Sequence, residues 1–140
     1  MARDEKLDLL STIPLFSGLD HHHLERLGML TEEVDVPAGK VLIRQGDSGD
    51  DLMIIVSGQV AVERDGRHID DMGPGDFFGE IAVIERGPRT ATCTAETPTR
   101  LLVVNHRDFH SLMDEFPAVA TQVLTTLAQR LRRLEQSAVH

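Results

Sequence analysis

Glycines interrupt the middle of this 140-residue chain every few residues, between about residues 32 and 105. The segments between them carry apolar residues that alternate with other residues, as at Val60 and Val62. Asp65-Gly66 is a strong signal for a tight hairpin between two such segments. Short strands at this spacing predict a double-stranded β-helix, or jelly roll, of about eight strands.

Local patterns place several of these strands. Residues 52–56 form a continuous apolar run, which is typical of a strand buried on both faces. Further strands are predicted at 90–96 and at 100–105. Cys93 lies on the first of these two strands, where we expect it to pack as a small hydrophobic side chain.

Helical patterns precede and follow the strands. Before them, a short helix ends at Pro14 and a second helix begins with Asp20 as its N-cap. After them, a helix is predicted over 106–116 and a longer one over 117–137, with Pro117 in its first turn. The predicted fold class is therefore mainly β with flanking helices.

No linker, repeat or low-complexity tract divides the chain. We therefore predict a single domain over 1–140, with N-terminal helices at 1–31, a β-roll at 32–105 and C-terminal helices at 106–140. The chain has one cysteine, which excludes an intramolecular disulfide and a four-cysteine metal site.

Apolar residues in the last predicted helix follow a heptad spacing. This heptad seam consists of Ala120, Leu124, Leu127, Leu131, Leu134 and Ala138. The seam could pack on the strands of its own chain, pair with a second chain, or do both.

The charge of the chain limits its partners. Its 14 basic and 23 acidic residues give a formal net charge of −9, which disfavours nucleic acid, because such binding depends on neutralising backbone phosphates. No apolar run approaches the ~18 residues of a membrane span, and the N-terminus lacks the apolar core of a signal peptide. We expect a cytoplasmic protein that binds neither nucleic acid nor membrane.

One segment, 77–95, carries most of the residues that indicate a ligand. It reads Phe-Phe-Gly-Glu-Ile-Ala-Val-Ile-Glu-Arg-Gly-Pro-Arg-Thr-Ala-Thr-Cys-Thr-Ala. It resembles the phosphate-binding cassette of the cyclic nucleotide-binding domain family, and we place the cassette at 77–92. The resemblance covers roughly residues 10–135. Its other motifs are Leu15-Phe16-Ser17-Gly18-Leu19, Arg44-Gln45-Gly46-Asp47, Ser57-Gly58-Gln59-Val60 and Gly73-Pro74-Gly75-Asp76.

The resemblance implies that Arg89 holds the phosphate of a cyclic nucleotide, since a planar guanidinium matches two phosphate oxygens. The backbone amides of Ile81 and Ala82, at the start of a short helix, would add donors. Thr90 would place a hydroxyl beside the arginine, within reach of the phosphate or the purine. Arg86 also lies in the cassette, and we interpret it as a solvated loop residue.

The same resemblance assigns the ribose to Glu80, because a carboxylate accepts hydrogen bonds from hydroxyls. Gly79 would let the backbone approach the ligand closely or adopt a positive φ. A different interpretation pairs Glu80 with Arg89 as a structural ion pair, in a domain that keeps the fold and binds nothing. The presence of both residues favours a cassette that is competent to bind.

The sequence does not decide which purine is bound. A threonine after the arginine, here Thr90, is found in family members that prefer cyclic GMP, but bacterial cyclic AMP binders tolerate a hydroxyl there as well. The bacterial look of the chain favours cyclic AMP over cyclic GMP. No cofactor other than this ligand is implied.

No catalytic residue and no metal site are predicted. His21, His22 and His23 are consecutive on a helix, so they point in different directions and cannot converge on one ion. The strand region contains only His68, whereas metal-dependent enzymes with a similar β-roll need clustered histidines. His106 and His110 are four residues apart on a predicted helix and lack a third ligand in helical register.

The resemblance therefore implies a stand-alone regulatory sensor and not an enzyme. In the family the last helix lies over the base, and here it would move on ligand binding and contact a protein partner or a second copy of the chain. No helix-turn-helix follows it, so we expect no direct DNA binding. Two alternatives remain: an interaction module of the same fold without a ligand, and the sensor part of a transcription regulator or channel.

Overall fold

The computed structural model describes most of the chain. The described residues are 2–16, 18–49, 51–79 and 88–138, without the side chains of residues 130 and 134–138. They divide into two compact units. One unit covers Leu30–His110, and the other consists of Ala2–Met29 together with the chain from Ser111 onward.

The first unit contains eight strands within the described residues. They are β1 (Glu32–Val36), β2 (Val41–Ile43), β3 (Leu52–Ser57), β4 (Val60–Arg64), β5 (Arg67–Met72), β6 (Phe77–Phe78), β7 (Thr92–Ala95) and β8 (Thr99–Val104). One sheet has the order β1-β8-β3-β6, the other has the order β2-β7-β4-β5, and all neighbouring strands are antiparallel. The predicted fold class, mainly β with about eight strands and flanking helices, is confirmed.

Side chains from both sheets form the core of this unit. Its buried members are Ile55, Val60, Val62, Phe78, Ala91, Cys93 and Leu101. Along β4 the buried Val60 and Val62 alternate with the more exposed Ala61 and Glu63, because successive residues of a strand point to opposite faces. Cys93 is buried among these apolar side chains, as predicted.

The predicted hairpin at Asp65-Gly66 is confirmed. The two residues join β4 to β5, and both have a positive φ, 54° for Asp65 and 77° for Gly66. A two-residue turn of this kind matches the right-handed twist of antiparallel strands. The side chain of Gln45 holds the turn, since its Oε1 accepts a hydrogen bond from the Asp65 N–H at 2.9 Å.

The strand predicted at 90–96 is shorter than expected, because β7 begins at Thr92. The backbone of Arg89, three residues earlier, forms its hydrogen bonds with Gly46 and Asp47 in a turn. Residues 89 to 91 therefore lead from this turn into the strand and are not part of it. The local sequence pattern could not predict this, because the turn at 46–47 is more than 40 residues away in the sequence.

The helices are α1 (Arg3–Thr12), α2 (His21–Leu30), α3 (His106–Glu115) and α4 (Pro117–Ala138), with a 3-10 turn at Pro14–Phe16. Helix α2 begins as predicted, because the Asp20 carboxylate accepts a hydrogen bond from the His23 N–H at 2.9 Å. This hydrogen bond holds the pKa of Asp20 below its usual value. None of the described helices combines the length and the apolar character needed to cross a membrane.

Hydrogen bonds between distant parts of the sequence hold the second unit together. The Gln122 side chain on α4 donates to the carbonyl oxygen of Pro14 at 2.7 Å. Arg26 on α2 donates to the Glu115 carboxylate at 3.3 Å. The N-terminal helices and α4 therefore belong to one compact body, although more than 80 residues separate them in the sequence.

Two leucines of the heptad seam on α4 are exposed, while Ala120 and Leu127 of the same seam are half-buried. Val119, Val123 and Thr126 are buried, whereas Leu124 and Leu131 of the seam are 64% and 59% exposed. The helix therefore has two apolar stripes, one buried and one exposed. Both stripes have the 4-3 spacing of a heptad, and the seam identified from the sequence is the one that contains Leu124 and Leu131.

Truncation of a core side chain tests this account of the first unit. Ile55→Ala is expected to lower the free energy of unfolding by about 2–5 kcal/mol, because it removes buried methyl groups and leaves a cavity. Ile69→Ala is the matched control: Ile69 is 48% exposed on β5, and the same change there should cost no more than about 0.5 kcal/mol. Urea unfolding measures both, and equal losses would contradict the burial of Ile55.

Candidate functional site

Three of the predicted ligand-binding residues, Gly79, Arg89 and Thr90, lie within the described part of the chain. Glu80, Ile81 and Ala82 lie outside the described residues, as does Arg86. The described part of the site therefore consists of Arg89 and the segments around it, all of which belong to the first unit.

A turn that precedes β3 holds the backbone of Arg89. The Arg89 N–H donates to the carbonyl oxygen of Asp47, and the Arg89 carbonyl accepts from the Gly46 N–H, each at 2.9 Å. The neighbouring residues Ser48 and Pro88 form an antiparallel bridge. These bonds fix the point from which the arginine side chain extends.

The Arg89 side chain is 7% exposed, which is unusual for a charged group. Its Nη2 donates to the carbonyl oxygen of Asp51 at 3.3 Å. Its Nη1 is buried and has no hydrogen-bond partner among the described residues. A buried donor without a partner costs about 1–3 kcal/mol, and more when the group is charged. An anion with two acceptor oxygens matches what this guanidinium offers.

Two glycines leave the space that the guanidinium occupies. A Cβ on Gly49 would lie 2.6 Å from Nε and 2.8 Å from Nη2 of Arg89. A Cβ on Gly79 would lie 2.9 Å from Nη1 and would also collide with the carbonyl oxygen of Asp51. Gly79 has a φ of +86°, which agrees with the positive φ allowed for it from the sequence.

Pairing between two strands brings Gly79 to the arginine. Strand β6 pairs antiparallel with β3, with Phe78 opposite Met53 and Phe77 opposite Ile54. Gly79 follows β6 directly and Asp51 precedes β3 directly, so the two residues meet at the end of this ladder. The arginine then lies against backbone from both sides of the pair.

Thr90 is exposed and lies next to Arg89 in the chain. Its carbonyl oxygen accepts a hydrogen bond from Nε of Arg64, at the end of β4, at 3.1 Å. The side chain of Thr92 accepts from the Gln45 N–H at 2.9 Å. These contacts join the residues after Arg89 to the hairpin strand and to the turn at 44–47.

Gly49 and Asp51 belong to the site but were not predicted from the sequence. The motif Arg44-Gln45-Gly46-Asp47 is followed, after Ser48, by a second glycine and then by a pair of aspartates. That glycine-rich continuation was a signal for a close approach of backbone. What approaches it, the arginine 40 residues later, is visible only in the folded chain.

The fold is a β-roll of two four-stranded sheets, and its candidate site is a buried arginine that lies against two glycines. The model of the cyclic nucleotide-binding domain family matches residues 33–116 of the chain. The chain belongs to this family, as its sequence motifs predicted.

Similar proteins are regulators and channels. The chain is 34% identical over 131 residues to a CRP-like cAMP-activated global transcriptional regulator of Mycobacterium tuberculosis, a match that covers 90% of this chain and 58% of that protein. It is 36% identical over 122 residues to a cyclic nucleotide-gated potassium channel of Rhizobium etli, covering 87% of this chain and 34% of the channel. The chain therefore spans only part of the length of these curated relatives.

One solved structure matches this chain along nearly the whole length of both. It is the N-terminal domain of a transcriptional regulator from Streptomyces coelicolor A3(2), with a TM-score of 0.76 and 36% sequence identity. The match covers 93% of this chain and 94% of that domain. The fold described above is thus shared with a domain of almost the same extent.

Gly49→Ala tests whether Arg89 depends on the space at this glycine. The new methyl group would displace the guanidinium, which is the flexible end of its side chain, so stability should change little. Affinity for cyclic AMP is expected to fall about tenfold, as for the loss of one charge-assisted hydrogen bond. Calorimetric titration measures the affinity, and the Nε–H resonance of Arg89 reports its displacement.

Gly18→Ala is the control, because the nearest described atom to a Cβ there, its chain neighbours aside, is Oε1 of Gln122 at 3.9 Å. Its affinity should equal that of the wild type. An unchanged Arg89 resonance and an unchanged affinity in Gly49→Ala would show that the guanidinium does not depend on this glycine.

Proposed function

We propose that this chain binds a cyclic purine nucleotide, with cyclic AMP preferred over cyclic GMP, and acts as a regulatory sensor module. The observation that carries the proposal is the buried Arg89 guanidinium, whose Nη1 has no hydrogen-bond partner among the described residues. Membership of the cyclic nucleotide-binding domain family supports the class of ligand.

The charge of the ligand suits the arginine. A cyclic phosphate carries one negative charge and two free oxygens, and a guanidinium presents paired donors in one plane. In a site of low dielectric constant such a pair is stronger than it is in water. Arg89 would bind the phosphate, and the carbonyl oxygen of Asp51 would keep the guanidinium plane in place during binding.

The remaining contacts are proposed from the family resemblance. Glu80 would accept hydrogen bonds from the ribose, beside Gly79, and the amides of Ile81 and Ala82 would donate to the phosphate. Thr90, which is exposed, would supply its hydroxyl next to Arg89. No further cofactor takes part in this proposal.

Cyclic AMP is favoured because the Mycobacterium tuberculosis relative is named for activation by this nucleotide. We propose that binding shifts the population of two conformations that differ in the placement of α4. The exposed Leu124 and Leu131 would then contact a protein partner or a second copy of the chain. The net charge of −9 favours a protein partner over nucleic acid, and the sensor would work in the cytoplasm.

Substitution of Arg89 tests the phosphate assignment. Arg89→Ala should lower the affinity for cyclic AMP by at least about tenfold, since a hydrogen bond to a charged group contributes about 1.5–3 kcal/mol. The affinity of Arg89→Lys for cyclic AMP should lie between those of Arg89→Ala and the wild type, because lysine keeps the charge but lacks the planar pair of donors. Calorimetric titration of the wild type and of both variants gives the order of the three affinities.

Arg86→Ala is the control for that series, since the sequence indicates a solvated loop residue at position 86. Equal affinity of the wild type and Arg89→Ala would refute the assignment. A wild-type chain that binds neither nucleotide at millimolar concentration would instead be an interaction module of the same fold.

The preference for the purine is tested with both nucleotides and Thr90→Ala. The wild type is expected to bind cyclic AMP more tightly than cyclic GMP in a competition titration. Thr90→Ala should leave the affinity for cyclic AMP within about threefold, because a neutral hydroxyl bond contributes only about 0.5–1.5 kcal/mol. A tighter wild-type complex with cyclic GMP, lost in Thr90→Ala alone, would reverse the proposed preference.

A further inference from the structure

A second cluster of polar side chains lies away from the arginine site, on the outward face of the sheet β2-β7-β4-β5. It consists of His68 and Asp71 on β5 and of Glu96, which directly follows β7. Each residue offers one ligand atom, and these three atoms all lie within 4.8 Å of one another. Nε2 of His68 and Oδ1 of Asp71 are 2.9 Å apart. All three side chains are exposed, so an ion in solution can reach them.

A β-bulge brings His68 and Asp71 together. In a regular strand, residues three apart point to opposite faces of the sheet. Here His68 pairs with Glu63 and Asp70 pairs with the adjacent Val62, so the register shifts and Ile69 is an extra residue in β5. The shift places His68 and Asp71 on the same face. Bulges commonly re-aim side chains in this way.

Glu96 reaches Asp71 across β4. On that strand Ala61 pairs with Asp71 on one side and with Thr94 of β7 on the other. Glu96 is two residues after Thr94, so it shares the outward face, and its N–H donates to the carbonyl oxygen of Gln59 at 2.8 Å. Ala61, which lies between the two strands on this face, has only a methyl group as its side chain.

The chemistry of these three groups indicates a cation. Two carboxylates that lie close together repel each other unless a proton, a metal ion or, below its pKa, the imidazolium of His68 offsets their charge. A chain with a net charge of −9 also attracts cations to its surface. The imidazole nitrogen selects among them, because Mg²⁺ and Ca²⁺ prefer oxygen ligands, whereas imidazole suits Zn²⁺, Ni²⁺ and Cu²⁺.

We propose that His68, Asp71 and Glu96 form a binding site for a divalent first-row transition metal such as Zn²⁺. Bonds of about 2.0–2.2 Å to nitrogen and oxygen place two ligands of one ion about 3–4 Å apart. Small rotamer adjustments of exposed side chains reach this spacing from the observed one. Water completes the coordination, and the ion ties the edge strand β5 to the residue after β7.

The experiment uses the full chain after treatment with a chelator, without nucleotide. Zn²⁺ is titrated by calorimetry, and Co²⁺ serves as a paramagnetic probe in NMR spectra. The wild type should have one site that His68→Ala and Glu96→Gln each weaken by at least about tenfold. Co²⁺ should broaden the resonances of β5 and of the residues after β7 first. Both substitutions replace exposed side chains, so both variants should fold.

His21→Ala is the matched control. His21 is also exposed, and its Nε2 lies 2.6 Å from a Glu25 carboxylate oxygen, but among the described residues it belongs to no group of three close ligand atoms. This variant should keep the affinity of the wild type for Zn²⁺. Equal affinity of His68→Ala and the wild type would overturn the proposal, as would Co²⁺ broadening centred on residues 21–23. Cyclic AMP affinity should be the same in His68→Ala, which separates this site from the one at Arg89.

Discussion

Arg89 is held by backbone from two parts of the chain that are far apart in the sequence, one just before β3 and the other just after β6. The turn at 46–47 fixes its main chain, Asp51 accepts from its guanidinium, and Gly79 approaches it closely. The ladder between β3 and β6 brings Gly79 next to Asp51, so the register of this ladder sets the approach of Gly79 to the arginine. A buried cation is costly unless its surroundings are arranged around it. The geometry of the turn, the glycines and the short strand β6 is therefore best understood as the arrangement that this one side chain requires.

Much of the fold could be predicted because it depends on local signals. The Asp65-Gly66 turn, the Asp20 N-cap and the position of Pro117 each follow from a residue's own conformational preferences. The surroundings of Arg89 could not be predicted in this way. Gly49 becomes part of the site only because the chain returns to it 40 residues later. The start of β7 at Thr92 could not be predicted for the same reason, since the backbone of Arg89 bonds to a turn that is distant in the sequence.

Helix α4 shows that a sequence pattern can predict an apolar stripe on a helix without predicting which surface covers that stripe. The heptad spacing identified Leu124 and Leu131 correctly as one apolar face, yet both are exposed. The buried face, Val119, Val123 and Thr126, includes a threonine and is less apolar by composition. The spacing left open whether the seam packs on its own chain, on a second chain or on both, and the stripe that α4 buries consists of β-branched residues. An exposed leucine stripe is a feature that a partner can use.

The bulge at Ile69 has a consequence for how chains of this family differ. The face of β4 that points to the core, Val60 and Val62, is the same with or without the extra residue in β5. The outward face is kept in the same way: without Ile69, His68 and Asp71 would be two positions apart on β5 and would still share that face. A relative that is one residue shorter in this hairpin could therefore keep both the core and the cluster. The bulge lets the edge strand carry one additional side chain, Ile69, while the residues on either side of it keep their faces.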